Sequence, residues 1–324
     1  MPLKNINILR GIAALAVTWF HLTNNSSLGK SVAATGQYGY LGVEIFFVIS
    51  GYILPYSMAM RSYRLADYGR FNAKRLLRIY PPYVITIILG IALMMVTKVP
   101  VPDSRILLSE FAYLNSILGY FWTVPVFWTL AIEVQFYIFI SLFYPLITSR
   151  SNTVFVLSLL PMFALAFVIP SSFLPNWFGM FALGIVLFRK TELKLQPALF
   201  WSLTIAVAAF IMYVNGRYQS ITALCTVLFI LFIPAEKNNR LTSAGVWLGS
   251  VSYSLYLIHW DWGRVMIAVS RHLPLAGNYE WLRLTFGLGM SLFLAWLFYT
   301  FIEKPSINLS NKLKYGRKRS PVKT

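Results

Sequence analysis

Apolar runs of about twenty residues, broken by short polar clusters, recur along the whole of this 324-residue chain. That is the length an α-helix needs to cross the ~30 Å hydrocarbon core of a bilayer. Spans are read at residues 6–24, 38–59, 79–97, 126–147, 153–170, 174–188, 197–214, 219–235, 241–262 and 281–302. Alternating ten-residue strands, the signature of a membrane barrel, do not occur. The stretch RILLSEFAYLNSILGYFW, between the third and fourth spans, is apolar but carries Arg105, Glu110 and Asn115. It is assigned to the outer interface as an interfacial or re-entrant helix, because a crossing there would reverse every later segment. The expected fold is an all-α integral membrane protein of about ten transmembrane helices.

Composition agrees: 58% of residues are hydrophobic and only 12% charged, against about 25% charged in ordinary soluble domains. The net charge of +18 would suit nucleic acid, but its distribution argues for membrane lipids instead. With the N-terminus inside, most of the 28 Lys and Arg fall in or beside inward-facing segments, the bias of a cytoplasmic-membrane protein with both termini in the cytoplasm. Clusters lie at 61–78, 189–194 and 236–240, and in the tail KLKYGRKRSPVK. Residues 306–324 are expected to be a solvated basic cytoplasmic tail near anionic headgroups. Residues 1–305 then form a single membrane domain. The first apolar stretch lacks a small-residue cleavage site and reads as a retained span. Cys225 stands alone, so no disulfide framework exists. Three histidines at no ligand spacing make a metal site unexpected, and His272, in an outer loop, receives no role.

Arg10 and His21 lie eleven residues apart in the first span. At 100° per residue they return to within about 20° of one helix face, about 16.5 Å apart along the axis. A titratable side chain at membrane depth costs at least ~2.5 kcal/mol on insertion scales and is by default a functional candidate; the alternative is that both residues snorkel to the interfaces. Counting along the helices puts His21 about 22 Å from the inner edge, Glu44 about 9 Å and Glu133 about 8 Å below the outer edge. His259 is near the outer end of its own span. Four titratable groups on four helices are thus expected in one outer layer, where a carboxylate can hold an imidazole tautomer. A second, cationic layer faces the cytoplasm. Arg75 and Arg78 share a helix face just before the third span, and Arg10 lies within reach of them. Arginine forks suit phosphate oxygens, so this tier is read as a phosphorylated-ligand site over a stop-transfer patch.

These segments resemble the membrane acyltransferase family 3, the multi-span O-acyltransferases that modify bacterial surface polysaccharides. Arg10 with ten intervening residues before His21 is similar to the family's first-helix motif. GYLGVEIFFVISGYIL resembles its second-span segment, and RLLRIYP at 75–81 its R-x-x-R signature. FWTLAIEVQFY at 127–137, SYSLYLIH at 252–259 and FIEKP at 301–305 follow in family order. Lys304 stands where Arg is common. The chain lacks the extracytoplasmic hydrolase-like domain of some relatives, which implies that the membrane domain completes the transfer unaided.

The resemblance implies that acyl-CoA, most often acetyl-CoA, enters from the cytoplasm as co-substrate, with no bound cofactor. It implies a glycan hydroxyl, lipid-linked or polymeric, as acceptor, and the bacterial cytoplasmic (inner) membrane as the location. Arg10, Arg75 and Arg78 would hold the nucleotide phosphates, and the rise from Arg10 to His21 is comparable to an extended phosphopantetheine arm. His21 would act as general base on the acceptor hydroxyl, in preference to carrying the acyl group itself. Glu133, then Glu44, would orient or reprotonate it; packing partners for Arg or His is the alternative role for both. His259 is placed beside the substrate or behind a residue that touches it, with a backbone-bonded packing histidine as the alternative. Tyr137 and Trp128 are placed with the acceptor, although Trp122, Trp128, Tyr137 and Trp260 also suit an interfacial aromatic belt. Ser50-Gly51 reads first as small-residue helix packing. The rival reading is a secondary transporter or flippase for a lipid-linked sugar; the paired repeats and midplane helix breaks typical of such proteins are not found.

Overall fold

A computed structural model describes residues 3–24, 30–233, 239–270 and 280–316. Residues 236–238 of the third basic cluster, His272, and the tail beyond Gly316 lie outside those residues. The described chain is helical throughout: α1 (Leu3–Asn24), α2 (Lys30–Gly36), α3 (Gly42–Ala59), α4 (Tyr68–Val96), α5 (Ser104–Phe111), α6 (Asn115–Leu118), α7 (Trp128–Ile147), α8 (Asn152–Leu165), α9 (Leu174–Glu192), α10 (Pro197–Val214), α11 (Arg217–Phe232), α12 (Arg240–Ile258), α13 (Asp261–Ser270), α14 (Glu280–Phe298) and α15 (Lys304–Lys312). A π-helical turn, Tyr299–Glu303, joins the last two.

Among the described residues, seven helical stretches are long and apolar enough to cross a membrane. The sequence also places spans on α8, α9 and α11. Of these, α8 and α11 are shorter apolar helices, while α9 ends in the polar run Arg189 to Glu192. Almost every residue of α9 from Leu174 to Arg189 is buried, as expected of a helix apolar on all faces that forms the middle of a bundle.

The chain divides into two compact units. The first comprises residues 1–43, 78–129 and 235–309. Its central feature is the packing of α1 on α12. A Cβ on Gly249 would stand 2.0 Å from the Asn7 carbonyl oxygen, and one on Gly11 would stand 2.9 Å from the Gly249 nitrogen. Only glycine permits that approach. Gly245 meets Ile8 one turn lower, so the two helices run parallel and in step.

The segment between α4 and α7 belongs to this unit and is folded inside out relative to a soluble helix. Glu110 and Asn115, the polar residues of an apolar stretch, are fully buried, whereas Leu108, Ile117, Leu118 and Phe121 are exposed. Glu110 accepts from the Thr123 hydroxyl at 2.6 Å and the Thr123 backbone N–H at 3.2 Å. Asn115 bonds Ser109 and donates to the Phe121 carbonyl. With eight and four residues, neither helix approaches the ~20 needed to cross.

The second unit comprises residues 44–77, 130–234 and 310–324. Here α8, α10 and α11 pack on α9, and α3 closes on it, a Cβ on Gly51 falling 2.1 Å from the Phe181 carbonyl oxygen. Ser50-Gly51 is thus a helix contact, as its small residues suggest. The first part of the tail is packed: Lys74 Nζ donates to the Ser310 and Leu313 carbonyls and to Asn311. Tyr315 is buried against Tyr63 and Phe71. The solvated arm expected from residue 306 therefore does not begin before the end of this clasp.

Candidate active site

The residues singled out in the sequence fall into three groups. In the first unit, α1 carries His21 to the end of α12, where its ring centroid lies 5.2 Å from that of His259. Trp260 meets His21 at 4.7 Å in a T-shaped contact, and Phe20 does so at 4.8 Å. His21 is half-buried, and His259 is 1% exposed. His259 Nδ1 lies 2.8 Å from the Tyr256 carbonyl oxygen and 3.1 Å from that of Leu255. Both neighbours are acceptors, so Nδ1 carries the hydrogen, and the neutral ring keeps its lone pair on Nε2. Nε2 is buried and makes no hydrogen bond to the described residues. Tyr256 is in turn braced by Thr129, whose hydroxyl lies 2.7 Å from the Tyr256 hydroxyl. The backbone bond expected only of a packing histidine is thus present, but it aims a basic nitrogen and places it beside His21.

The same unit holds a second polar group. Glu303 is 2% exposed and accepts from the Ser254 hydroxyl at 2.6 Å and from the Ser254 backbone N–H at 3.2 Å. Arg78 and Arg10 both act electrostatically on its carboxylate. Sequence reasoning places Glu303 inside FIEKP and assigns it no role. The signal that could have found it is an acidic residue at the end of an apolar span, where a buried carboxylate demands a cation. Trp260 likewise reads as interfacial in the sequence, where nothing ties it to His21.

The third group lies in the second unit. Glu133 Oε1 accepts from the Tyr137 hydroxyl at 2.8 Å and from Ser50 at 3.3 Å; the Tyr137 bond is an i,i+4 pair along α7. Glu44 is 2% exposed, and its Oε2 makes no hydrogen bond to the described residues. Arg75 donates to Ser57 at 2.7 Å and lies over the Phe71 ring. Trp128 is half-buried at the start of α7 and belongs to the first unit. The structure thus brings His21 to His259, Ser254 to Glu303 and Tyr137 to Glu133, while Arg10 and Arg78 act on Glu303 electrostatically.

A family model described as an acyltransferase domain matches residues 3–300. The chain is 28% identical over 285 residues to the putative acetyltransferase ORF330 of Acidianus two-tailed virus, covering 78% of this chain and 80% of that protein. It is 25% identical over 354 aligned positions to the putative peptidoglycan O-acetyltransferase YrhL of Bacillus subtilis, covering 92% of this chain but only 54% of the relative. A putative O-acetyltransferase of Staphylococcus aureus is 29% identical over 147 residues, 40% of this chain and 23% of its own length. The chain therefore spans about half, or less, of the bacterial relatives it matches. No solved structure matches it.

Proposed function

The chain belongs to the membrane acyltransferase family 3 and is an O-acyltransferase, and on that footing we propose that it moves an acetyl group from acetyl-CoA to a hydroxyl of a cell-surface or lipid-linked glycan. It does so as a ten-span protein of the bacterial inner membrane with both termini in the cytoplasm. Arg10 and Arg78 take the nucleotide phosphates of the donor, and Arg75, one turn earlier on α4, is assigned the same role. The His21 imidazole accepts the proton of the acceptor hydroxyl as its oxygen attacks the thioester carbonyl. The C–S bond then breaks, and the proton passes from the imidazolium to the departing thiolate. Glu133, bonded to Tyr137, and after it Glu44 are the acids assigned to the transfer, and Tyr137 and Trp128 are assigned to the acceptor.

One observation carries this reading: a single helix, α1, brings His21 to His259 near one end and Arg10 to the Glu303 carboxylate near the other. Base and phosphate grip are thus separated by about 16.5 Å of rigid helix. The test is release of free thiol from acetyl-CoA by the purified protein supplied with an acceptor glycan, alongside His21→Ala at matched expression. Loss of thiol release in the variant is expected; retained transfer would remove His21 from the chemistry, and sugar movement without thiol release would favour a transporter. NMR of surface-polysaccharide acetylation in a deletion strain and its parent then identifies the acceptor.

A further inference from the structure

Glu303 is a buried carboxylate that the transfer chemistry above does not use. Its position is built: the π-helical turn Tyr299–Glu303 adds a residue to the helical cycle, turning Glu303 inward while Lys304 stays exposed. Such turns are rare and gather at functional sites. One oxygen is fixed twice by Ser254, through hydroxyl and backbone N–H, and Ser254 itself is 0% exposed. Two arginines from two other helices, Arg10 of α1 and Arg78 of α4, share this one carboxylate electrostatically.

We propose that Glu303 is a positioning residue of the donor site: its carboxylate, anchored on Ser254, orients the guanidinium groups of Arg10 and Arg78 to receive the phosphates of the acyl-CoA donor. This rests on the donor reading given above. Guanidinium recognition of phosphate depends on the direction of a planar fork. A long arginine side chain without a fixed partner loses more conformational entropy when ligand arrives, and that loss shows as weaker binding.

Simple charge and positioning predict opposite results. Were the carboxylate only neutralising the arginines, Glu303→Gln would tighten acyl-CoA binding. Positioning predicts the reverse, a KM for acetyl-CoA raised on the order of tenfold, about 1.4 kcal/mol in binding, with kcat at saturating donor little changed. Ser254→Ala removes one of two anchors and should give a smaller rise in the same direction. The decisive comparison uses acetyl-pantetheine, a thioester donor without the nucleotide phosphates. E303Q and S254A should be impaired with acetyl-CoA and match the parent protein with acetyl-pantetheine.

Equal impairment with both donors, an unchanged KM, or a lowered KM would each overturn the proposal. Failure of the donor reading looks different: the unmutated protein itself would then use acetyl-pantetheine as well as acetyl-CoA, whatever stands at position 303. Should E303Q not survive purification, S254A provides the same donor comparison and decides between the same outcomes.

Discussion

The cluster around Glu303 and the cluster around His21 both draw on α1 and α12, yet they are held by different means. At Glu303 every named partner is charged or donates a hydrogen bond, and a buried acid is surrounded by two cations and a serine. At His21 the neighbours are rings, and the adjoining His259 is fixed through one nitrogen by main-chain carbonyls while the other has no partner among the described residues. A charge-paired site is suited to gripping an anion, because its arginines are oriented before the ligand arrives. A site of paired imidazoles, one with its Nε2 aimed away from its backbone acceptors, is suited to moving a proton.

The largest effect should separate the two clusters most sharply. His21→Ala is expected to lower kcat by about a hundredfold or more, the usual worth of a general base, in the thiol-release assay. Arg78→Ala should instead raise the KM for acetyl-CoA by about ten- to a hundredfold, the loss of one charge-assisted contact of roughly 1.5–3 kcal/mol, with kcat nearly kept. An identical kinetic pattern in both variants would erase the division of labour. Gly249→Val tests the helix pair that carries both clusters. Its branched side chain meets the Asn7 carbonyl, which should cost about 1–3 kcal/mol in thermal unfolding and damage kcat and KM together.

The smallest effect is expected away from both clusters. Burial raises the pKa of Glu110, and the two donors of Thr123 only partly oppose it. Its protonated form is therefore favoured in the fold. The segment between α4 and α7 should lose stability as pH rises from the ordinary carboxylate range toward the raised value. Glu110→Gln should flatten that dependence in hydrogen exchange over residues 104–127, with a change of under about 1 kcal/mol at neutral pH.

Much of the fold is legible in the sequence because spanning a bilayer leaves a strong signal there: each proposed span overlaps a helix, and among the described residues seven helical stretches are long and apolar enough to cross. That the segment between α4 and α7 holds no crossing helix is legible too, from Arg105, Glu110 and Asn115. What cannot be read is which way those polar residues face. Glu110 and Asn115 point inward because a partner thirteen residues on, Thr123, exists to satisfy the former and Ser109 the latter. Depth along a helix places His21 with His259 at the same level, but depth is one coordinate only. It groups Glu44 and Glu133 with the histidines without assigning their neighbours, and the structure gives Glu133 to Ser50 and Tyr137. Arg75 and Arg78 look like one fork from their spacing. Their described partners differ, a hydroxyl and a phenyl ring for Arg75 and an electrostatic influence on the Glu303 carboxyl for Arg78. Helical spacing predicts which residues share a face; it is silent about what the neighbouring helix presents to each of them.

Parallel packing of α1 on α12 has a mechanical consequence. Gly11 meets Gly249 and His21 meets His259, so both helices climb ten residues, about 15 Å, between the same two points of contact. The pair works as a gauge whose length is set by helical pitch, beyond the reach of any side-chain replacement. Inserting or deleting one residue in either strut would lift its upper half by about 1.5 Å and swing it by about 100°, carrying an imidazole away from its counterpart. Evolution of the donor preference in such a scaffold is therefore confined to point changes around a fixed stroke.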